Sequence, residues 1–485
     1  MMPDAPAPHK RETPGTRLAY YGSMRNPRIP RLWLIPGLAT ALLAGCEALE
    51  ELPARLFDDR PPRQRYEESL LAAGLGLTAL VRDWMSAGSQ ALTEAAPVTP
   101  PYAEEGFLQA GEPVALGFRV TVQRGQEVAF ELRLNGDTTS SVFLDAWYVG
   151  EDSAGTLRSV ATADSGAREL TFTPRRTGDY VLRAQPELLR GGRFSVTLHV
   201  RPSLAFPVED GREGDIGSVF GDPRDGGRRD HHGVDIFVPR GTPALAANEA
   251  VVARVQTTNR GGNVVWLRDV DGNSLYYAHL DRQAVETGMR VFPGDTVGYV
   301  GNTGNARTTP PHLHFGVYRR GEGPLNPWYF VYQPRGSIRR LTADTTVLGA
   351  WARTPGRDTE LLRAPYQRSE PVASLSAHTA LRVVAAVGDW YRVRLPDGTH
   401  GYLPARSTER TERAVLTTDV YARTPVLARP GAASPSDVVT EVGSGDSVAV
   451  LGRFRGYMLV QTAAGTSGWV VEPAPATTPA VRGGS

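Results

Sequence analysis

The chain has 485 residues, 41% hydrophobic and 22% charged, an ordinary globular composition with room for three or four domains at roughly 100–200 residues each. Its 53 Lys and Arg nearly cancel its 52 Asp and Glu, and no sustained basic stretch interrupts that balance, which argues against a nucleic-acid partner. One cysteine, Cys46, excludes an intrachain disulfide framework, and 52 glycines with 38 prolines favour turns and short strands over long helices.

From the N-terminus, Arg25, Arg28 and Arg31 form a positive region ahead of the uncharged apolar residues 32–44. This is the layout of an export signal and is too short for an ordinary membrane span. Its end, Leu43-Ala44-Gly45-Cys46, resembles the lipobox of bacterial lipoproteins. The resemblance implies that 24–46 is a lipoprotein signal peptide, that Cys46 is lipidated, and that the protein is exported and membrane-anchored in the cell envelope, on the periplasmic or the outer surface.

Residues 63–96 are the one convincing helical stretch. Pro61 and Pro62 precede it, and Leu70, Leu71, Leu77, Leu80, Val81 and Trp84 recur at helical spacing, with Gly74 and Gly76 weakening the middle. Pro97, Pro100 and Pro101 mark a linker. Apolar and polar residues then alternate within 128–134 and 194–200, and Asn135-Gly136-Asp137 and Gly191-Gly192 supply turns, so 107–200 is expected to be a β-sandwich.

Chemistry concentrates in 203–335. Five of the nine histidines fall between positions 231 and 314. His231 and Asp235 offer an imidazole and a carboxylate, both good zinc ligands, although their four-residue spacing alone is a weak signal. In His312-Leu313-His314-Phe315-Gly316-Val317, apolar residues alternate with functional ones. That pattern predicts a strand with both histidines on one face, where packing alone explains them poorly. Tyr276-Tyr277-Ala278-His279-Leu280 reads as another strand ending in a histidine.

In order along the chain stand His231-x-Gly233-x-Asp235, Gly241-Thr242-Pro243, Tyr277-Ala278-His279-Leu280, Val297-Gly298-x-Val300-Gly301-x-Thr303-Gly304 and Pro311-His312-Leu313-His314-Phe315. Jointly they resemble the lysostaphin/LytM-type zinc endopeptidases over roughly residues 215–330. The resemblance implies an open antiparallel sheet with a groove, one Zn2+ per chain held by His231, Asp235 and His314, and a catalytic pair of His312 and His279. It also implies peptidoglycan stems or cross-bridges as substrate. Three protein ligands leave a fourth zinc position for water, whose pKa zinc lowers to about 7. No H-E-x-x-H helix supplies a glutamate base, so a histidine is expected to move the proton. His312 is assigned that task, with His279 orienting water or the oxyanion, and the two roles are interchangeable on sequence grounds. Gly288 to Gly294 looks like half a lipoyl domain, but the carrier lysine is missing.

From 345 the pattern becomes short strands and turns in two similar units, 345–408 and 414–473. Asp389-Trp390-Tyr391 and Gly401-Tyr402-Leu403 in the first answer to Arg455-Gly456-Tyr457 and Gly468-Trp469-Val470 in the second. The repeat resembles tandem bacterial SH3-type domains, which implies wall binding; two structural barrels with aromatic cores are the alternative. Residues 474–485 are expected to be a disordered tail. The fold class expected is therefore mainly β and multi-domain: a β-sandwich, an open antiparallel-sheet peptidase domain and two small SH3-like barrels, with one short N-terminal helical segment. The expected activity is that of a zinc metalloendopeptidase. The alternative is a non-catalytic or autoinhibited regulator or scaffold of wall hydrolases, and the filling of all five site positions favours the enzyme.

Overall fold

Gly74, at φ +76°, breaks the N-terminal helical stretch in two, α1 (Pro62–Ala72) and α2 (Ala79–Thr93). This computed structural model describes residues 60–135, 142–152, 155–332, 336–432 and 434–473. The expected signal at 24–46 with Cys46, and the tail at 474–485, lie outside the described residues. Thr78 caps α2 by accepting the Val81 N–H, and Val81, Trp84, Gly88 and Ala91 form its buried face. Leu71 and Leu77 stay exposed, so the break withdraws them from the periodic stripe that the sequence suggests. No described helix is long and apolar enough to cross a membrane.

The α2 helix lies on a β-sandwich. Trp84 Nε1 donates to the Pro186 carbonyl at 2.8 Å, and Arg183 reaches both the Gly88 carbonyl and Asp145. One sandwich sheet has Leu116–Val122, Gly178–Pro186, Val142–Val149 and Leu157–Thr162 at its centre and edge. The other contains β1 (Tyr102–Leu108), Gly192–Pro202, Gln126–Leu134 and Glu169–Phe172 in that order. The alternating stretches read at 128–134 and 194–200 are neighbours here, with Val128 opposite Val200 and Leu134 opposite Phe194. Their inward residues, among them Phe130, Leu132, Phe194 and Val196, meet Phe118 and Tyr180 of the facing sheet. Tyr102 already belongs to β1, so the sandwich begins before 107, inside the stretch whose prolines suggest a linker.

A ten-stranded sheet follows. Its spine runs Ile216–Ser218, β2 (Val234–Ile236), then Leu313–Arg319, Asn273–Gln283, Gly262–Asp269 and Ala250–Thr258. We call Asn273–Gln283 β3 and Leu313–Arg319 β4; both pair antiparallel, from Asn273 opposite Arg319 to Ala278 opposite His314. Leu275, Tyr277, Leu313, Phe315 and Val317 bury one face in a core of their own, leaving the alternate residues for the other face. The sandwich touches this domain at the Arg319 end of the ladder, through Arg124–Glu322, Ser203–Gly125 and Phe330. His314 is five rungs away, about 17 Å at roughly 3.4 Å per residue.

The C-terminal region holds two units with the same strand order. Trp351–Arg353, β5 (Ala380–Val387), Trp390–Arg394, His400–Pro404, Thr359–Leu362 and Pro371–Leu375 follow one another in the first. Leu416–Asp419, Ser447–Phe454, Tyr457–Gln461, Ser467–Val471, Thr424–Leu427 and Val438–Val442 repeat that order in the second. The first unit does not stand apart. Strand β5 pairs antiparallel with β1, Glu105 opposite Ala386 and Gly106 opposite Ala385, so the sandwich sheet runs straight into it. Arg392 and Glu104 form a buried ion pair across this seam at 2.6 Å. The protein is thus mainly β, built from several sheets.

Candidate metal centre

Strand register brings the site together. Asp235 in β2 is opposite His314 in β4, and His231 lies just before β2. His231 Nε2, Asp235 Oδ1 and His314 Nδ1 form a triangle with sides of 3.0, 2.9 and 2.9 Å. Gly233 is required between His231 and Asp235. A Cβ there would lie 2.6 Å from the Phe315 carbonyl and 2.7 Å from the His314 ring.

His312 and His279 complete the group by different routes. His312 precedes β4 and shares its functional face with His314, two residues on. By strict alternation His279 would follow Tyr277 into the core. Instead its backbone turns left-handed at φ +61°, a conformation uncommon outside glycine. The turn brings its ring to 5.0 Å from that of His312 and 5.9 Å from that of His314, centroid to centroid. A β-bulge between Leu280 and Arg282 accompanies it.

Backbone carbonyls fix the outer nitrogens. Nδ1 of His231 donates to Val219, Nδ1 of His279 to Thr303 and Nδ1 of His312 to Pro310, at 2.8, 2.9 and 2.9 Å. A carbonyl only accepts, so each ring carries a proton on Nδ1 and turns its Nε2 inward.

Residues 229–327 match the model of peptidase family M23. Over 135 residues it is 36% identical to an L-Ala–D-Glu endopeptidase of Bacillus subtilis, a match covering 26% of this chain and 41% of that protein. Over 85 residues it is 42% identical to peptidoglycan DD-endopeptidase ShyC of Vibrio cholerae, covering 18% and 19%. Among solved structures, the catalytic domain of the antimicrobial peptidase lysostaphin from Staphylococcus simulans is 32% identical over 24% of this chain and 89% of that one, with a TM-score of 0.22. The chain spans less than half the length of the two curated relatives.

Burial and the neighbouring rings set the protonation of the site. Burial alone pushes the Asp235 carboxyl up, but hydrogen bonds from His231 and His314 outweigh it and hold the group below the usual carboxylate range. Burial, then the neighbouring His314 and His312, lower His279 to about 4, so its ring is neutral at pH 7. Burial also lowers His314, against the pull of Asp235. His232 points outward and stacks on Phe220.

Several residues of the site escape a reading of motifs. Arg224 contacts Asp235, Phe237 packs on the His312 ring at 4.9 Å, and Trp266, Tyr276 and Tyr318 form an aromatic cluster beside His314. Trp266, Tyr276 and Tyr318 alternate with the core residues of their strands, which is the one signal that marks them in the sequence. Arg224 has no such periodicity.

Proposed function

We propose that this protein is a zinc-dependent endopeptidase that hydrolyses peptide bonds in peptidoglycan stems or cross-bridges. The observation that carries the reading is the convergence of two imidazole nitrogens and one carboxylate oxygen, with two further histidines beside them. Two nitrogens and one oxygen are a donor set suited to catalytic zinc with an open fourth position. The triangle of 2.9–3.0 Å is only slightly tighter than the roughly 3.3 Å between tetrahedral ligands about 2.05 Å from zinc. Zinc held there supplies Lewis acidity toward a scissile carbonyl and toward water.

The chain's own residues do the rest. His312 Nε2, its partner nitrogen held by Pro310, takes the proton of the attacking water and returns it to the leaving amine. Neutral His279, likewise presenting a lone pair at Nε2, accepts a hydrogen bond from that water and orients it. The relatives' names refer to different bonds, one to L-Ala–D-Glu and the other to a DD bond of peptidoglycan. Anchoring to the membrane through a lipid on Cys46, and wall binding by the two C-terminal units as SH3-type domains, complete the proposal.

The test is incubation of the purified protein with peptidoglycan, alongside His314→Ala. The parent is expected to hold about one zinc per chain and release peptide fragments that the variant and a chelated sample do not. A parent that holds no zinc would overturn the reading. Metabolic labelling with a lipid precursor, compared with Cys46→Ser, tests the anchor.

A further inference from the structure

Asp235 uses its two carboxylate oxygens for different partners. Oδ1 joins the triangle with His231 and His314, whereas Oδ2 accepts from Arg224 Nη2 at 2.8 Å. The same guanidinium nitrogen contacts Ser218 Oγ. Ser218 in turn donates to Asp222 Oδ2 at 2.8 Å and lies 3.3 Å from His231 Nδ1. Asp222 Oδ2 also accepts the Val219 N–H at 2.9 Å, and Val219 supplies the carbonyl that holds His231. One short segment, 218–224, therefore grips the outward atoms of two of the three candidate ligands.

The backbone makes that grip stiff. Arg224 sits in a two-stranded hairpin, paired with Arg229, and Pro223 is paired with Asp230. The His231 N–H bonds the Asp222 carbonyl while its own carbonyl accepts the Gly221 N–H. Ser218 is the ladder partner of Asp235 itself. The backbone of Arg224 thus belongs to the same hairpin that fixes His231.

We infer that Arg224 is a positioning residue for the metal: by holding Asp235 Oδ2, it leaves Oδ1 as the single inward ligand oxygen in a fixed orientation. The inference rests on the zinc reading above. A guanidinium suits the task because its several N–H donors serve Ser218 and the carboxylate together, which a lysine ammonium on a flexible stem does less well. Loss of such an outer partner typically weakens metal binding by about 10–100-fold.

The experiment uses the full chain and its Arg224→Ala and Arg224→Lys variants. Zinc affinity is measured by competition with a chromogenic chelator, coordination by the visible spectrum of the cobalt-substituted forms, and stability by thermal unfolding of the metal-free forms. Arg224→Ala is expected to bind zinc about 10–100-fold more weakly with an altered cobalt spectrum, Arg224→Lys to recover part of the affinity, and the metal-free unfolding midpoints to agree. Equal zinc affinity in parent and Arg224→Ala overturns the inference and leaves the zinc reading standing. A metal-free midpoint that falls in step with affinity, unrelieved in Arg224→Lys, overturns it too, because Arg224 would then be a fold residue. A parent without zinc removes the reading on which both rest.

Discussion

Gly233→Ala is the sharpest single test of how the site is built. The added Cβ would stand 2.6 Å from the Phe315 carbonyl oxygen and 2.7 and 2.8 Å from Cε1 and Nε2 of His314. Carbon contacts settle near 3.5–4.0 Å, so something must retreat by about 1 Å. The Phe315 carbonyl belongs to the ladder opposite Val234 and has little freedom. The His314 ring must therefore yield, and the backbone at residue 233 must back away from the carbonyl as well. Gly233 has no left-handed φ, so the strain is one of space and not of backbone conformation. Overpacking of this kind costs about 1–3 kcal/mol. Functional constellations tolerate only about 0.5 Å, so the displaced ring is expected to cost at least tenfold in zinc affinity. Denaturant unfolding of the metal-free protein reads the first effect and chelator competition the second. A variant with the parent's stability and the parent's affinity would refute the steric argument.

Other substitutions probe separate links. His279→Ala and His312→Ala are each expected to slow fragment release by roughly 10²–10⁴-fold while zinc content stays near one per chain, measured by turnover and metal analysis on the same samples. Tyr277→Phe removes the acceptor for the buried Ala247 N–H, bonded at 2.9 Å, and is expected to cost about 1–3 kcal/mol in denaturant unfolding. Glu104→Gln leaves the buried Arg392 guanidinium without its counter-charge and is expected to cost about 3–5 kcal/mol, much of it recovered in the double variant Glu104→Gln/Arg392→Met. A small effect in the single variant would show that water reaches the seam.

Part of this architecture is legible in the residues themselves. Alternation marks 128–134 and 194–200 because each lies between a core and solvent, and that alternation is a local property. It also places His312 and His314 on one face. Their meeting with His231 and Asp235 depends on the pairing of β2 with β4, across about 80 intervening residues, which no local pattern reveals. His279 defeats alternation altogether, since a single left-handed residue reverses the face to which its ring points. Arg224 acts from a two-residue strand of a short hairpin, too short for periodicity to show, and the break at Gly74 converts an apparent stripe of leucines into exposed surface. The repeat near the C-terminus shows in its aromatic pattern, but its fusion to the sandwich depends on β1 and β5, which are more than 270 residues apart.

That fusion has a mechanical consequence. A sheet shared between two modules transmits force and orientation in a way that a flexible tether does not. Gly106 sits at the weld, where any Cβ would strike the Phe194 ring and the Val384 carbonyl. If the C-terminal units grip the wall, this seam holds the grip at a set bearing from the sandwich and fixes its reach. Cutting the chain near residue 340 would strip β1 of its partner and expose a raw strand edge, a template for aggregation. Dissection at the boundary that the sequence suggests would then yield a sticky fragment, whose behaviour would report the cut and not the function of the part removed.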